Sequence, residues 1–207
     1  MTRNSKTKDL VLMGVMTAII FIMGLTPIGF IKTGTLSITL IPIPVAIAAY
    51  ALGPVGGTLA GLSFGITSAI TAFIKPDKTM VVLISISVVK VAALCIVPRV
   101  LVGFCAGMVA KLMKGLKVTS AMGGALTGFS VAFLNTVFFM SSLVALFGNS
   151  EAVKAMKGER NLVLFIIAIV TVNVIIEWVC STVITSYVAG ALTKARLIST
   201  PAKKAEA

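Results

Sequence analysis

The chain has 207 residues, of which 58% are hydrophobic and 12% are charged, and its formal net charge is +12. This composition lies far from that of soluble globular domains and places the chain in a lipid bilayer. The basic residues flank apolar runs and form no stripe with interleaved aromatic residues, which argues against nucleic-acid binding.

The first apolar run, from Leu10 to about Ile31, is long enough for one transmembrane helix. The breakers Pro27, Gly29 and Gly34 predict its end. The residues before this run are basic and show no signal-peptide cleavage pattern, so we expect a retained, cytoplasmic lead-in.

The next run, from Ile38 to Ile74, contains no charged residue. As one straight helix, at about 1.5 Å per residue, it would extend far beyond a hydrocarbon core about 30 Å thick. Gly53-Pro54, followed by two more glycines, is the strong turn signal inside it. The run therefore predicts a helical hairpin with its bend at Gly53-Pro54.

Three further helices are predicted in the second half of the chain. Proline is favourable in the first turn of a helix, so we expect one helix from Pro98 to about Met113. The segment 79–97 before it is expected to form either a partial helix or a long loop lying over a site. The last two helices are predicted over 121–147 and 162–192.

These elements predict an all-α integral membrane protein, a six-transmembrane-helix bundle that forms a single domain over 1–207. Short polar tails are expected at about 1–8 and 197–207. Because cytoplasmic loops of membrane proteins collect Lys and Arg, the distribution of cations favours cytoplasmic N- and C-termini in the cell membrane. Membrane lipid is therefore an expected partner.

Polar side chains inside the predicted spans are the first functional signal, because an ionisable group at membrane depth needs a partner, water or a ligand. Glu177 follows Asn173 by four residues, which places both on one face of the last helix. Asn135 and Thr136 offer polar groups on the preceding helix. We expect an inward-facing polar cluster that binds a solute; the alternative is hydrogen bonding between helices, or a pair between Glu177 and Lys90.

Cations near the predicted outer mouth are the second signal. Lys75, Lys78, Lys90 and Arg99 fall there, and a basic mouth attracts anionic solutes. The planar guanidinium of Arg99 suits a carboxylate, which it binds through two parallel hydrogen bonds. For Lys75 and Lys78 we favour ordinary solvated loop charges.

Small residues at four-residue spacing form the third signal. Gly53, Gly57, Gly61 and Gly65 are expected to pack helices closely within the chain, as are the pairs Gly103/Gly107 and Gly124/Gly128. Gly14 and Ala18 on the first helix have the same spacing. For them, packing within the chain competes with docking onto a helix of a partner subunit.

The chain contains no histidine and no GxxxxGK[ST] phosphate loop. Histidine-dependent haem, zinc-protease and serine-hydrolase chemistry is therefore not expected on this chain, nor is ATP hydrolysis through that loop. We expect a protein that is not an enzyme, with no cofactor and no metal site. The energy for any pumping must come from elsewhere.

Several motifs resemble a known family. The run Ser37-Ile-Thr-Leu-Ile-Pro-Ile-Pro44, its continuation to Gly57, and Gly61-Leu-Ser-Phe-Gly65-Ile-Thr-Ser68 resemble the substrate-binding S components of energy-coupling factor (ECF) transporters. Pro98-Arg99-Val-Leu-Val-Gly103 resembles the opening of that family's fourth helix. Asn135-Thr136 resembles a polar pair of its fifth.

The resemblance implies a vitamin-capturing subunit that works with a transmembrane coupling subunit and two ATPase subunits. It implies a substrate site near the outer face, where Lys90, Arg99, Asn135, Asn173 and Glu177 fall. It also implies that Gly14 and Ala18 dock onto the coupling subunit, and that the whole subunit topples in the membrane when the partners hydrolyse ATP. The local motifs support only Arg99 and Asn135 directly.

The sequence around Pro44 and Pro98 resembles most closely that of the pantothenate branch, so pantothenate is the favoured ligand. Folate, riboflavin or a pyrimidine precursor are alternatives within the family. An autonomous secondary carrier or channel is the main rival outside it, and a membrane protein with a purely structural role is a third possibility.

Overall fold

The computed structural model describes residues 3–33, 36–76, 78–116, 118–150 and 172–198. Helix α1 spans Arg3–Leu25, and a short 3₁₀ turn leads from it into an antiparallel hairpin of strands β1 (Phe30–Thr33) and β2 (Leu36–Thr39). The remaining elements are all helical: α2 (Pro42–Ile74), α3 (Lys78–Ile86), α4 (Val88–Gly115), α5 (Ser120–Phe147) and α6 (Val172–Lys194).

Five helices in the described part of the chain, namely α1, α2, α4, α5 and α6, are long and apolar enough to cross a membrane. The predicted multi-pass helical architecture is therefore confirmed in its class. The count of six crossings stays a prediction. The β-hairpin is an addition that the all-α prediction did not contain.

Helix α2 reverses its direction at Gly53. This residue has φ 70° and ψ −154°, a conformation that glycine adopts without a steric penalty. A Cβ on Gly57 would lie 3.1 Å from the Cβ of Ala49. In a continuous helix these two positions would be about 12 Å apart along the axis. The arms 42–52 and 54–74 therefore fold back on each other, and the predicted bend is confirmed.

The first arm of α2 occupies the middle of the bundle. Residues 41–50 are all buried. They pack against Ile20 of α1, Val102 of α4 and Val131 of α5 in one apolar core. An apolar segment with no charged residue is required here, because neither lipid nor water reaches it.

The second arm of α2 crosses α4 at backbone contact distance. A Cβ on the α2 glycines would collide with the α4 backbone at three successive points: Gly57 with Gly103, Gly61 with Arg99, and Gly65 with Ile96. The residue numbers of the contacting pairs rise along α2 while they fall along α4, so the two helices are antiparallel. Gly124 and Gly128 meet α6 in the same way. The predicted packing role is confirmed for these glycines. It is wrong for Gly53, which forms the bend and where a Cβ would meet nothing within 4 Å.

Two helix ends differ from the prediction. Helix α1 ends at Leu25 and not near Ile31, because Thr26 precedes Pro27 and a residue before proline disfavours the helical conformation. Helix α2 begins at Pro42 and not at Ile38. Proline lacks the N–H that the first turn leaves unpaired, so it suits this start.

The prediction that Pro98 opens a helix was wrong. Helix α4 begins at Val88, and Pro98 lies inside it. Ser87 has an extended backbone, and its Oγ accepts a hydrogen bond of 3.4 Å from the N–H of Lys90, which caps the helix. The segment 79–97 is therefore helical, divided between α3 and the start of α4. The part of the last predicted helix before residue 172 lies outside the described residues, as do residues 1–2 and 199–207 of the predicted tails.

Substituting Gly103 should destabilise the protein, because the new Cβ would collide with the carbonyl group of Gly57. We expect Gly103→Ala to lower the thermal unfolding midpoint in detergent by about 2–10 °C, the usual result of forcing atoms into a close-packed contact. Gly190→Ala on α6 is the matched control, since a Cβ there would meet nothing within 4 Å. Equal midpoints for the two variants would contradict the close crossing of α2 and α4.

Candidate functional site

A cavity of about 210 Å³ opens at the end of the bundle opposite the Gly53 bend. Five helices and the hairpin meet there. The lining residues come from α1, the hairpin and its link to α2, the second arm of α2, α3, α4 and α5: Gly24, Thr39, Ile41, Phe64, Thr67, Ser68, Thr71, Ala72, Lys75, Met80, Arg99 and Asn135.

Arg99 is held in place by a defect in its own helix. The carbonyl of Leu94 would normally accept a hydrogen bond from residue 98, but Pro98 has no N–H. Nη1 of Arg99 donates to this carbonyl at 2.8 Å instead. The proline therefore frees an acceptor, and the arginine that follows it takes that acceptor and is oriented by it.

Two aromatic rings also hold the guanidinium of Arg99. Its Cζ lies 4.6 Å from the ring centroid of Phe139 and 5.5 Å from that of Phe64. The side chain is only 8% exposed. Its Nε is buried and has no hydrogen-bond partner among the described residues. A buried donor without a partner is destabilising, and such groups concentrate at functional sites.

Asn135 presents the complementary group. Its Oδ1, on α5, is buried and unpaired within the described part of the chain. The hydroxyl groups of Thr67 and Thr71 on the same lining donate to the carbonyls of Phe64 and Gly24, at 2.9 and 3.0 Å. Arg99 and Asn135 both line the cavity, and each has one buried polar atom, Nε and Oδ1, without a hydrogen-bond partner among the described residues. Lys75 and Arg99 make the lining positive.

Glu177 lies beside the cavity and does not line it. Its Oε1 accepts a hydrogen bond of 2.6 Å from the backbone N–H of Thr39, at the end of β2. Thr39 itself is a lining residue. Glu177 is therefore connected to the cavity through the hairpin.

The other two sequence-predicted ligand residues are placed differently. Lys90 is exposed on the first turn of α4, with its Nζ 6.0 Å from the ring centroid of Phe147, and it is not among the lining residues. Asn173 lies on α6, one turn before Glu177, and its side chain lies outside the described part of the structure. The structure therefore brings Arg99 and Asn135 together and leaves Lys90 apart from them.

Several residues in or beside the cavity were not singled out from the sequence. Phe139, whose ring packs on Arg99, lies four residues after Asn135, a spacing that places both on one face of α5. Thr67 and Thr71 show the same spacing on α2. Both spacings can be recognised in the sequence alone. Lys75, which we assigned to a solvated loop, is exposed and also lines the cavity.

Gly14 and Ala18 lie on an exposed face of α1. A Cβ on Gly14 would meet nothing within 4 Å. Helix α1 instead packs on the bundle through Met16 and Ile20. The small residues are therefore not used for packing within the described part of the chain.

Comparison with known proteins gives two findings. The family model described as ECF transporter, substrate-specific component, matches residues 8–189. The pantothenic acid transporter PanT of Lactococcus lactis subsp. cremoris (strain MG1363) is 26% identical to this chain over 204 residues. That alignment covers 94% of this chain and 98% of the relative.

The interaction between Pro98 and Arg99 should appear in a double-mutant cycle. Arg99→Met removes the donor to the Leu94 carbonyl, and Pro98→Ala supplies a backbone N–H that replaces it. We therefore expect Arg99→Met to cost about 1–2 kcal/mol less stability in the Pro98→Ala background than in the wild type. Unfolding of the four ligand-free proteins in one detergent measures this coupling. Additivity within about 0.5 kcal/mol would mean that the carbonyl does not link the two residues.

Proposed function

The chain belongs to the substrate-specific components of ECF transporters, and from this premise we propose that it captures a small carboxylate-bearing vitamin, with pantothenate favoured, for ATP-driven uptake by partner subunits. The relative PanT carries pantothenic acid in its name. The local chemistry of the cavity supports the same class of ligand.

The buried guanidinium of Arg99 carries this proposal. Its Nη1 is engaged by Leu94 and its Nε is free of protein partners among the described residues. The Nε edge of a guanidinium matches the two oxygens of a carboxylate. Because the lining, within the described part of the chain, also includes Lys75 and no acidic residue, an anionic ligand is favoured over a neutral or cationic one.

Asn135 sets a second requirement that the ligand has to meet. Its unpaired Oδ1 needs a donor, which a hydroxyl or an amide N–H supplies. Pantothenate carries a carboxylate, an amide N–H and two hydroxyl groups. We propose that its carboxylate binds Arg99 and that one of its donors binds Asn135; Lys90, Asn173 and Glu177 complete the set of residues proposed at or around the site.

The size of the cavity favours pantothenate over the larger vitamins of the family. Its volume of about 210 Å³ lies below the range of about 300–1,000 Å³ that is typical for drug-sized ligands. Folate and riboflavin are larger than pantothenate and contain flat ring systems. The Phe64 and Phe139 rings, which would be the stacking partners, already lie against Arg99.

The charge at the two ends of the bundle supports an outward-facing cavity. Both the start of α1 and the end of α6 lie at the end that contains the Gly53 bend. Basic residues are concentrated there: Lys6, Lys8, Lys111, Lys114, Lys194 and Arg196. The positive-inside rule then orients this end, with both termini, toward the cytoplasm. The cavity opens at the opposite, outer face.

A coupling subunit and two ATPases complete the proposed transporter. The exposed small-residue face of α1, centred on Gly14 and Ala18, allows a helix of the coupling subunit to approach closely. We propose that ATP hydrolysis in the partners topples this subunit in the membrane. Capture and docking then use different surfaces of one rigid bundle.

The carboxylate contact is tested by comparing pantothenate with the corresponding alcohol, in which a CH2OH group replaces the carboxylate. We expect the purified wild-type protein to bind the alcohol at least about tenfold more weakly, because a hydrogen bond to a charged group is lost. In Arg99→Gln this preference should fall to less than about threefold. Isothermal titration calorimetry measures both affinities. An undiminished preference in the variant would place the carboxylate elsewhere.

The docking surface is tested by bulky substitutions on α1. In the complete transporter reconstituted in vesicles, we expect Gly14→Leu and Ala18→Leu to reduce ATP-driven uptake about tenfold or more, because the added side chain holds the partner helix away. Ligand affinity should stay within about twofold, a small change on the affinity scale. Gly190→Leu is the matched control, since that glycine also faces open space, on α6. A parallel loss of binding and uptake would contradict the separation of the two surfaces.

A further inference from the structure

The end of the β-hairpin leaves one backbone donor pointing outward. Strands β1 and β2 pair with Phe30 opposite Thr39, and the N–H of Leu40 donates to the carbonyl of Gly29 at 2.9 Å. In an antiparallel pair, hydrogen-bonded and non-hydrogen-bonded residue pairs alternate. The pair next to Gly29 and Leu40 is therefore non-hydrogen-bonded, and the N–H of Thr39 points away from β1.

Glu177, which lies far from the hairpin in the sequence, accepts a hydrogen bond from this N–H. Its Oε1 lies 2.6 Å from the nitrogen of Thr39 and is separated from it by 138 positions in the sequence. Thr39 and Glu177 are both partly buried. A partly buried N–H group without a partner would destabilise the fold. The carboxyl oxygen of Glu177 therefore stabilises the hairpin by accepting this hydrogen bond.

We infer that Glu177 is a positioning residue that anchors the second strand of the hairpin to α6, at the edge of the ligand cavity, and does not touch the ligand. This inference rests on the proposed capture of a ligand in that cavity. Glu177 acts through Thr39, which lines the cavity, while Glu177 itself does not. The role differs from the direct ligand contact that the sequence led us to expect.

The charges around the cavity agree with this role. A carboxyl group turned toward the ligand would repel the carboxylate that Arg99 attracts. Engaged with a backbone N–H, the same group holds the hairpin in place. Because Thr39 lies on the cavity lining, movement of β2 away from α6 opens the cavity wall. The anchor therefore controls the rate at which a bound ligand leaves.

Two substitutions at Glu177 separate anchoring from charge. Glu177→Gln keeps an oxygen acceptor without the charge, and Glu177→Leu removes the acceptor. In ligand-free protein labelled with 15N-threonine, we expect Glu177→Leu to speed hydrogen exchange of the Thr39 amide about tenfold or more. With radiolabelled pantothenate, the same variant should release ligand about tenfold faster. Glu177→Gln should stay within about threefold of the wild type in both measurements.

Thr39→Pro tests the same bond from the other side, and it also covers the case in which Glu177→Leu does not fold. Proline removes the N–H, and it is tolerated where a strand N–H points out of the sheet. We expect ligand release as fast as in Glu177→Leu. Unchanged Thr39 exchange in Glu177→Leu would overturn the anchor, as would slow release from Thr39→Pro. Tighter pantothenate binding by Glu177→Gln would show that the carboxyl group faces the anion and would overturn it as well.

The exchange measurement needs no ligand, so the two proposals fail separately. A wild-type protein that binds no pantothenate would overturn the proposed function. The exchange rate of Thr39 in the three proteins would then still decide whether Glu177 anchors the hairpin.

Discussion

The antiparallel crossing of α2 and α4 is the contact on which the rest of the structure depends. Its register is set by backbone meeting backbone, with Gly61 against the carbonyl of Arg99 at the centre. Close-packed interiors tolerate little displacement, so a register fixed in this way fixes the position of Arg99 as well. The cavity lies one turn beyond this contact and is lined by Phe64 and Thr67 of α2 and by Arg99. A packing motif made of glycines therefore determines where the one buried cation of the cavity lies.

Pro98 shows how a local defect becomes a functional feature. A proline inside a helix removes one hydrogen bond and usually destabilises the helix by about 3 kcal/mol. Here the freed carbonyl of Leu94 is occupied by the next side chain in sequence, so part of the loss is recovered and the guanidinium gains a fixed orientation. Nε is left buried and without a hydrogen-bond partner among the residues that the structure describes. Unsatisfied polar groups of this kind are destabilising and concentrate at functional sites.

Local signals were sufficient for the elements that local rules control. The bend at Gly53-Pro54, the apolar runs and the glycine contacts followed from turn chemistry, span length and helical spacing. The start of α4 did not follow from these rules. A proline favours the first turn of a helix, and nothing in the sequence showed that a side chain would occupy the carbonyl that Pro98 leaves without its usual donor. The hairpin was missed since it is only two four-residue strands between long apolar runs. At the candidate site, Arg99 was predicted from its guanidinium and its place near the outer mouth, and Asn135 from its polar side chain inside a span. The resemblance to the family's motifs supported both. The bond from Thr39 to Glu177 could not be predicted, because it joins segments 138 positions apart in the sequence and uses a backbone N–H, a group that every residue except proline possesses.

The two kinds of contact around the cavity imply a division between a rigid and a movable part. The helices α2 and α4 meet through backbone atoms over several turns, an arrangement that separates only if the whole bundle comes apart. The described link between the hairpin and α6 includes the carboxyl group of Glu177, which accepts from the backbone N–H of Thr39 and also bonds the side chain of that residue. It opens at the cost of these few hydrogen bonds. Low-stability elements are the ones that move during binding. The proposed capture of a ligand would use both parts: helices that keep Arg99 and Asn135 in position, and a wall that opens to admit and release the ligand. The order of the elements in the sequence agrees with this division, since the hairpin lies between α1 and the buried arm of α2 and outside the central core.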